Sequence, residues 1–130
     1  MTLNDPLANT LSNIWNAEKI GKTECLTSPS SKIIKTVLDI FKTHGYIGDF
    51  EEIVNNRGDV IKINLLGRIN KCGVIKPRYP VKYKNLEKFE KRYLIGKDIG
   101  IIIVSTSNGL ITHYEAKQKK ICGRLIAYCY

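Results

Sequence analysis

The chain has 130 residues, of which 43% are hydrophobic and 25% are charged, and its formal net charge is +9. This length suffices for one compact domain or two small ones, and no apolar run approaches the roughly 18 residues that a membrane-spanning helix needs. Residues 1–15 lack the basic segment and apolar core of a signal peptide. We therefore expect a cytoplasmic globular protein that does not bind membranes.

The positive charge is confined to the second half of the chain. Residues 1–65 contain seven Lys/Arg and eight Asp/Glu, a net charge of −1, whereas residues 66–130 contain fourteen Lys/Arg and four Asp/Glu, a net charge of +10. This segregation favours a polyanionic partner that contacts mainly the C-terminal half. Two alternatives remain open: a basic surface exposed only to solvent, and a protein–protein interaction module with an incidental basic face.

The first half predicts the element order α-β-α-β-β. Asp5-Pro6 is a helix start, and Gly21 ends that helix. "ECLT" is typical of a short strand, and Ser28-Pro29 repeats the helix-start pattern before an apolar stripe that stops at His44-Gly45. The segments "YIGDFEEIV" and "VIKINLLG" alternate like half-buried strands, and "NNRGD" between them predicts a hairpin turn.

The second half predicts a mainly β unit with short helices. "RINKCGVIKPRYPVKYK" contains two prolines, which favour edge strand or loop, and Asn85 is expected to cap a helix whose apolar face is Leu86, Phe89 and Tyr93. "IGIIIVS" predicts a buried strand and "RLIAYCY" a final one. The predicted fold class is α+β, with an N-terminal α/β domain (1–67) and a C-terminal mainly antiparallel β domain (68–130), packed rigidly because no flexible linker separates them.

The four cysteines, at positions 25, 72, 122 and 129, predict neither a metal site nor a disulfide. No two of them form a CxxC pair, and the two histidines are not spaced with them as zinc ligands. The simplest interpretation is that all four are small apolar core residues of a protein in a reducing compartment. We therefore expect no metal and no cofactor.

The most informative segment is "STSNG", residues 105–109, which follows the buried strand. Its three hydroxyls donate and accept hydrogen bonds, and Asn108-Gly109 predicts a turn with a positive φ. Thr112 to Glu115 matches a capping box, so a helix is expected to follow, and amides near a helix N-terminus favour anions. The nearby cations Lys117, Lys119, Lys120 and Arg124 favour binding of a phosphate backbone.

Two other interpretations of the same segment remain. It could be an ordinary polar connection between a strand and a helix, or it could contain a nucleophilic serine. A serine nucleophile needs a base within reach, and His113 is the near candidate for Ser105 or Ser107. Since no GxSxG elbow and no phosphate-binding loop surrounds these serines, a small serine hydrolase is the weaker alternative, and we predict that the protein is not an enzyme.

Several segments of the chain resemble a known protein family. "STSNGLITHYEA" is similar to the signature of the eighth protein of the small ribosomal subunit, whose usual form is S-T-S/T-x-G, two hydrophobic residues, T/S-x-x-E-A. "DPLANTLSNIWNAEKIGK", "SPSSKII" and "HGYIGDFE" also resemble that family, and "INKCGVIKPRYPVK" resembles its archaeal and eukaryotic branch. The resemblance runs from Asp5 to Tyr130. One departure is Cys122-Gly123, where the family usually has Gly-Gly.

The resemblance implies a non-enzymatic, structural component of the small subunit. It implies a primary binder of ribosomal RNA that docks on a helix of the central domain and helps to assemble the platform beside neighbouring ribosomal proteins. The free protein is expected to be a monomer and a possible translational autoregulator that binds its own messenger RNA.

The resemblance also implies the site residues. Those that it assigns to RNA binding, or to shaping the binding loop, are Ser105, Thr106, Ser107 and Gly109, then Thr112 and Glu115, and in the N-terminal domain Asp5, Asn13 and Lys32. Asn108, at the variable position of the signature, is added as an exposed amide of the same segment. The charge pattern, not the resemblance, adds the cations expected to hold the phosphate backbone, which are Lys76, Arg78, Lys117, Lys120 and Arg124.

Overall fold

The computed structural model describes residues 5–27, 31–54, 59–96 and 99–130. The chain divides into two compact units, Met1–Cys72 and Gly73–Tyr130, and the predicted boundary between residues 67 and 68 remains a prediction. Within the described ranges, no helix combines the length and the apolar character that are needed to cross a bilayer.

The first unit has the predicted α-β-α-β-β order. Its elements are α1 (Pro6–Ile20), β1 (Glu24–Thr27), α2 (Lys32–Thr43), β2 (Ile47–Ile53) and β3 (Val60–Leu65). The strands form an antiparallel sheet in the order β1-β3-β2. The apolar stripes of both helices are buried, because neither helix nor sheet can otherwise cover its hydrophobic face. The apolar side chains without any solvent exposure here are Leu11, Ile14, Ile34, Val37, Leu38, Phe41, Ile61 and Ile63.

Local capping explains where the helices of this unit begin and end. The Asp5 side chain accepts a hydrogen bond from the amide of Ala8 at 3.1 Å, and Gly21 ends α1 with a φ of 87°, as predicted. Helix α2 begins at Lys32, and the Ser31 hydroxyl caps it by accepting from the amide of Ile34 at 3.3 Å. The predicted start at Ser28-Pro29 and the hairpin turn at residues 55–58 lie outside the described residues.

Glu18, on α1, provides a pH-dependent prediction. Its Oε1 is enclosed without a hydrogen-bond partner in the described part of the chain. Burial raises the pKa of this carboxyl, and a backbone hydrogen bond from Gly67 only partly opposes that effect. The folded state holds the proton of this carboxyl more tightly than the unfolded state does. The stabilising contribution of the protonated carboxyl is therefore complete at low pH and is lost as the pH rises through the raised pKa.

We therefore expect Glu18→Gln to raise the melting temperature at pH 7 relative to the wild type and to leave it nearly unchanged at pH 4. Thermal denaturation at both pH values measures the effect. Glu51→Gln, at an exposed position on β2, removes the same charge and corrects for the change in net charge. A larger gain at pH 4 than at pH 7 would contradict this assignment.

The second unit is a mainly antiparallel β structure with short helices. Its elements are β4 (Cys72–Val74), β5 (Pro80–Val81), a 3-10 turn (Tyr83–Asn85), α3 (Leu86–Tyr93), β6 (Ile101–Thr106), β7 (Gly109–Thr112), α4 (His113–Lys119) and β8 (Gly123–Cys129). The sheet order is β4-β8-β6-β7, and β5 also pairs with β8. The two sheets with their helices confirm the predicted α+β class.

The core of this unit is built on β6. Ile101, Ile102, Ile103 and Val104 are each at most 2% exposed, which confirms the predicted buried strand. Ile102 and Val104 pack with Leu86, Leu125 and neighbouring apolar side chains. The aromatic residues that pack against this cluster, while remaining partly exposed, are Tyr79, Tyr83, Phe89, Tyr93, Tyr128 and Tyr130.

Two predictions about this half of the chain are wrong. Asn85 does not cap α3 with its side chain, because a 3-10 turn runs directly into the helix and its own amide donates to the carbonyl of Lys82 at 2.9 Å. Cys122 is exposed, although Cys25, Cys72 and Cys129 are buried as predicted.

Cys72 behaves as a core residue. Burial raises the pKa of its thiol to about 12, so the thiol is protonated at neutral pH. Its Sγ donates a hydrogen bond to the carbonyl of Leu11 at 3.4 Å. In the described ranges, no group of three or more His, Cys, Asp or Glu side chains is placed to hold a metal ion.

Candidate nucleic-acid interface

The segment "STSNG" (residues 105–109), called the hydroxyl segment below, is part of a tight β-hairpin and is not a loop that leads directly into a helix. Strand β6 ends at Thr106. The turn is formed by Ser107 and Asn108, and β7 begins at Gly109. Gly109 has a φ of 105°, which confirms the predicted positive φ at this turn. The expected strand–loop–helix order is therefore wrong, because residues 109–112 pair with β6 before the helix begins.

The Thr106 hydroxyl holds this turn together. Its Oγ1 donates to the carbonyl of Gly109 at 2.9 Å and accepts from the amide of Asn108 at 3.1 Å. Such short side-chain bonds to the backbone stabilise one turn conformation. The exposed residues of the turn are Ser107, Asn108 and Gly109. Thr106 thus orders the turn, and its neighbours present their polar groups to solvent.

Arg124 lies beside Ser105 at the base of the hairpin. Ser105 pairs with Leu110 on one side and with Arg124 on the other, and Arg124 pairs in turn with Pro80. Directly paired residues of an antiparallel sheet project from the same face. Because Arg124 is exposed and Ser105 is half-buried, this face combines a short hydroxyl side chain with a cation.

A one-residue irregularity in the strand register produces this pairing. Ile103 pairs with Ala127 but Val104 pairs with Leu125, so β8 contains one extra residue at this point. Without it, Ser105 would lie opposite Leu125, and the cation would be one position away. Bulges often change which side chain a strand presents at a functional surface.

The segment that contains Lys76 and Arg78 is anchored to the same strand. The amide of Ile75 donates to the carbonyl of Ile126 at 2.9 Å, and the amide of Leu125 donates to the carbonyl of Tyr79 at 3.1 Å. Lys76 and Arg78 lie between these two anchor points, and both are exposed. The structure therefore attaches three of the five predicted cations to β8 or directly beside it.

The start of α4 is buried and does not form a surface anion site. The capping box is confirmed in part, because Thr112 Oγ1 accepts from the amide of Glu115 at 3.4 Å. However, Thr112 is 2% exposed and His113 is fully buried. The expectation that amides at this helix start would bind an anion beside the hydroxyls is wrong, because β7 separates the turn from the helix.

His113 and Lys117 contact a buried glutamate that sequence inspection missed. Glu90, on α3, is 5% exposed; its Oε1 forms an ion pair with the Lys117 ammonium and lies 3.6 Å from His113 Nε2. The amide of Ile102 donates to His113 Nδ1 at 3.0 Å. Lys117 is thus drawn towards the protein interior. The position of Glu90, four residues after the buried Leu86, was the available signal, since such residues share a helix face.

These contacts oppose the hydrolase interpretation of the hydroxyl segment. A general base must offer a ring nitrogen to the serine hydroxyl. In His113, Nδ1 accepts from the backbone of β6, and Nε2 is directed at Glu90. Neither nitrogen is directed at Ser105 or Ser107, so the pairing on which that alternative depends is not formed.

The remaining predicted residues have separate environments. Lys120 is exposed and ends α4 with a φ of 55°. In the first unit, Asp5 caps α1, Asn13 is half-buried on α1, and Lys32 is exposed at the first position of α2.

A comparison with known protein families finds one that covers nearly the whole chain. Residues 5–130 match the family described as ribosomal protein S8, in agreement with the signature in the hairpin. This is a family of structural RNA-binding proteins. The chain therefore belongs to the ribosomal protein S8 family and is a protein of the small ribosomal subunit.

Proposed function

We propose that this protein is a primary binder of small-subunit ribosomal RNA, which docks on a helix of the central domain through the hairpin turn of its second unit. The observation that supports this most directly is the ordered hydroxyl turn with Arg124 at its base. The cytoplasmic protein is a monomer before assembly, helps to build the platform beside neighbouring ribosomal proteins, and binds a copy of the same site on its own messenger RNA.

The chemistry of the turn suits RNA better than DNA. A-form RNA conceals its base edges in a narrow major groove and exposes its 2′-hydroxyls in a shallow minor groove, so proteins recognise distorted internal loops and the ribose edge. Short hydroxyl and amide groups approach such a surface closely and both donate and accept hydrogen bonds. The turn residues Ser107 and Asn108 have these groups and are exposed.

We assign different roles to the members of the site. Thr106 keeps the turn in one conformation, which lowers the entropic cost of binding. Ser105, Ser107 and Asn108 contact ribose and base edges, and Gly109 allows close approach because no side chain covers the backbone there.

The cations make contacts of another kind. Arg124, Lys76 and Arg78 contact phosphates, which adds affinity without sequence selection. Lys120 extends this basic surface. Thr112 and Lys117 support the hairpin from within the fold, and the amide of Glu115 shapes the start of α4. Asp5, Asn13 and Lys32 provide the additional backbone contacts of the N-terminal domain.

Removing the turn hydroxyls should weaken specific RNA binding without unfolding the protein. Ser107→Ala deletes a direct contact, and Thr106→Val deletes the two hydrogen bonds of the turn. We expect each variant to lose about 1–3 kcal/mol of binding free energy. The melting temperature should stay near that of the wild type, since Ser107 is exposed and Thr106 is only half-buried at the end of a hairpin. The measurement is titration of an RNA hairpin that contains the internal loop, beside an RNA with a base-paired stem in its place.

Ser12→Ala, at an exposed serine of α1, is the matched control and should leave both affinities unchanged. Thr106→Ser retains the hydroxyl and should bind nearly as well as the wild type. If Ser107→Ala and Thr106→Val bind the internal-loop RNA as tightly as Ser12→Ala, the hairpin turn does not recognise RNA, and the proposal for this site fails.

A further inference from the structure

Helix α3 presents a row of lysines on the side opposite its buried residues. Lys84, in the 3-10 turn that leads into α3, is followed by Lys88 and Lys91 at intervals of four and three residues, which places them along one side of the helix. We call these three residues the α3 stripe. The opposite side buries Leu86 and Glu90.

The α3 stripe lies in a region of excess positive charge. Its three lysines are exposed, as are the neighbouring Lys82 and Arg92. Within the described part of the chain, none of these five cations forms an ion pair. Of the two carboxylates on α3, Glu90 points inward to Lys117 and is 5% exposed. The other, Glu87, is exposed and forms no ion pair with these cations in the described part of the chain.

The same residues surround a shallow depression of about 620 Å³. It is bordered by Lys84, Asn85, Glu87, Lys88, Lys91 and Arg92. Its border consists of four cations, one carboxylate and one amide, which favours an anionic group over a cationic one. Arg92 also lies over the Tyr79 ring, with its guanidinium carbon 5.9 Å from the ring centroid, and Tyr79 contacts Phe89. These contacts restrain the cation at the edge of the depression.

We propose that the α3 stripe binds the phosphate backbone of an RNA helix, as a second contact separate from the hairpin turn. This inference rests on the proposed function and extends it to a surface that neither the family signature nor the hairpin includes. From Lys84 to Lys91 the axial rise is about 10–14 Å, long enough for the three ammonium groups to contact more than one phosphate of the RNA backbone. Lysine ammonium groups act as point charges that suit phosphate oxygens, so the stripe adds affinity and not base selection.

The experiment compares two triple variants that remove the same charge. The test variant is Lys84→Ala/Lys88→Ala/Lys91→Ala, and the control is Lys22→Ala/Lys42→Ala/Lys62→Ala in the first unit. Each is titrated, between about 50 and 200 mM salt, with an RNA hairpin that contains the internal loop and with one whose loop is replaced by base pairs. Melting temperatures establish that both variants are folded.

We expect the test variant to bind both RNAs about 10- to 100-fold more weakly near 0.1 M salt and to reduce the slope of log affinity against log salt by about 2–3. The ratio of the two affinities should not change. The control variant should retain nearly the wild-type slope.

Equal behaviour of the two triple variants would overturn the inference, while the proposed function would stand if the wild type still prefers the internal-loop RNA. A wild type without that preference would contradict the proposed function itself. A test variant that binds RNA normally but no longer binds an acidic protein would also overturn the inference, because the stripe would then serve a protein partner.

Discussion

Gly123→Ala is expected to lower the free energy of unfolding by about 2–3 kcal/mol and to weaken binding of the internal-loop RNA even where the variant remains folded. A Cβ at this position would overlap the carbonyl oxygen of Ser105 and would approach Val104 Cγ1 to 2.7 Å and Thr106 Cγ2 to 3.0 Å. The carbonyl oxygen of Ser105 is a backbone atom and cannot rotate away, so β8 must move relative to β6.

That movement affects the candidate site directly. Gly123 is adjacent to Arg124, and Arg124 pairs with Ser105 at the base of the hairpin turn. Displacing β8 therefore separates the cation from the hydroxyl residues as well as loosening the sheet. We expect Gly123→Ala to lose more RNA affinity than its unfolded fraction explains. Titration with RNA at a temperature well below the melting transition measures this loss, because nearly all of the variant is then folded.

Gly73→Ala is the matched control for this prediction. Gly73 lies in β4, and a Cβ there would first meet the far end of the Tyr128 side chain, at 3.2 Å from its hydroxyl oxygen. Since a side chain can adjust by a few tenths of an ångström, this variant should lose less than about 1 kcal/mol of stability. If the two variants have the same melting temperature, β6 and β8 are not as closely packed at Ser105 as described here.

His113→Phe is expected to lower the free energy of unfolding by about 2–3 kcal/mol. The ring has a size that phenylalanine can match, but the buried amide of Ile102 would lose the acceptor that lies 3.0 Å away. A buried donor without a partner costs about 1–3 kcal/mol. The variant also removes the group that faces the buried Glu90 at 3.6 Å, which adds to the loss.

His44→Phe controls for the chemistry of the substitution, because His44 is exposed at the end of α2 and should tolerate the change with little effect on stability. The two variants also separate a structural histidine from a catalytic one. If His113 were a general base, its replacement would abolish ester hydrolysis and leave the melting temperature unchanged. That outcome would return His113 to the hydrolase interpretation and contradict the role described here.

Local sequence alone determined the elements whose signals lie within a few residues of one another. The cap at Asp5, the terminator at Gly21 and the apolar stripes of α1 and α2 were all predictable. So were the bond between Thr112 and Glu115 and the buried strand Ile101–Val104. Helix caps and hydrophobic periodicity depend on neighbours within a turn or two. The segregation of charge and the hydroxyl signature were likewise visible in the sequence.

The tertiary structure decided how distant segments meet. The segment "STSNG" ends one strand and begins another because β7 pairs with β6. A strand of four residues contains too few positions to show an alternating pattern, so the sequence indicated only the helix that follows it. The alignment of Ser105 with Arg124 depends on one extra residue in β8.

The burial of Glu90 depends on Lys117 and His113 from another helix, although Lys88, Lys91 and Arg92, close to it in the sequence, are exposed. In each case the deciding energy comes from strand pairing or ion pairing between residues that are 3 (109 − 106) to 27 (117 − 90) positions apart in the chain. The sequence of one segment does not contain that information, because the partner that stabilises it lies elsewhere in the fold.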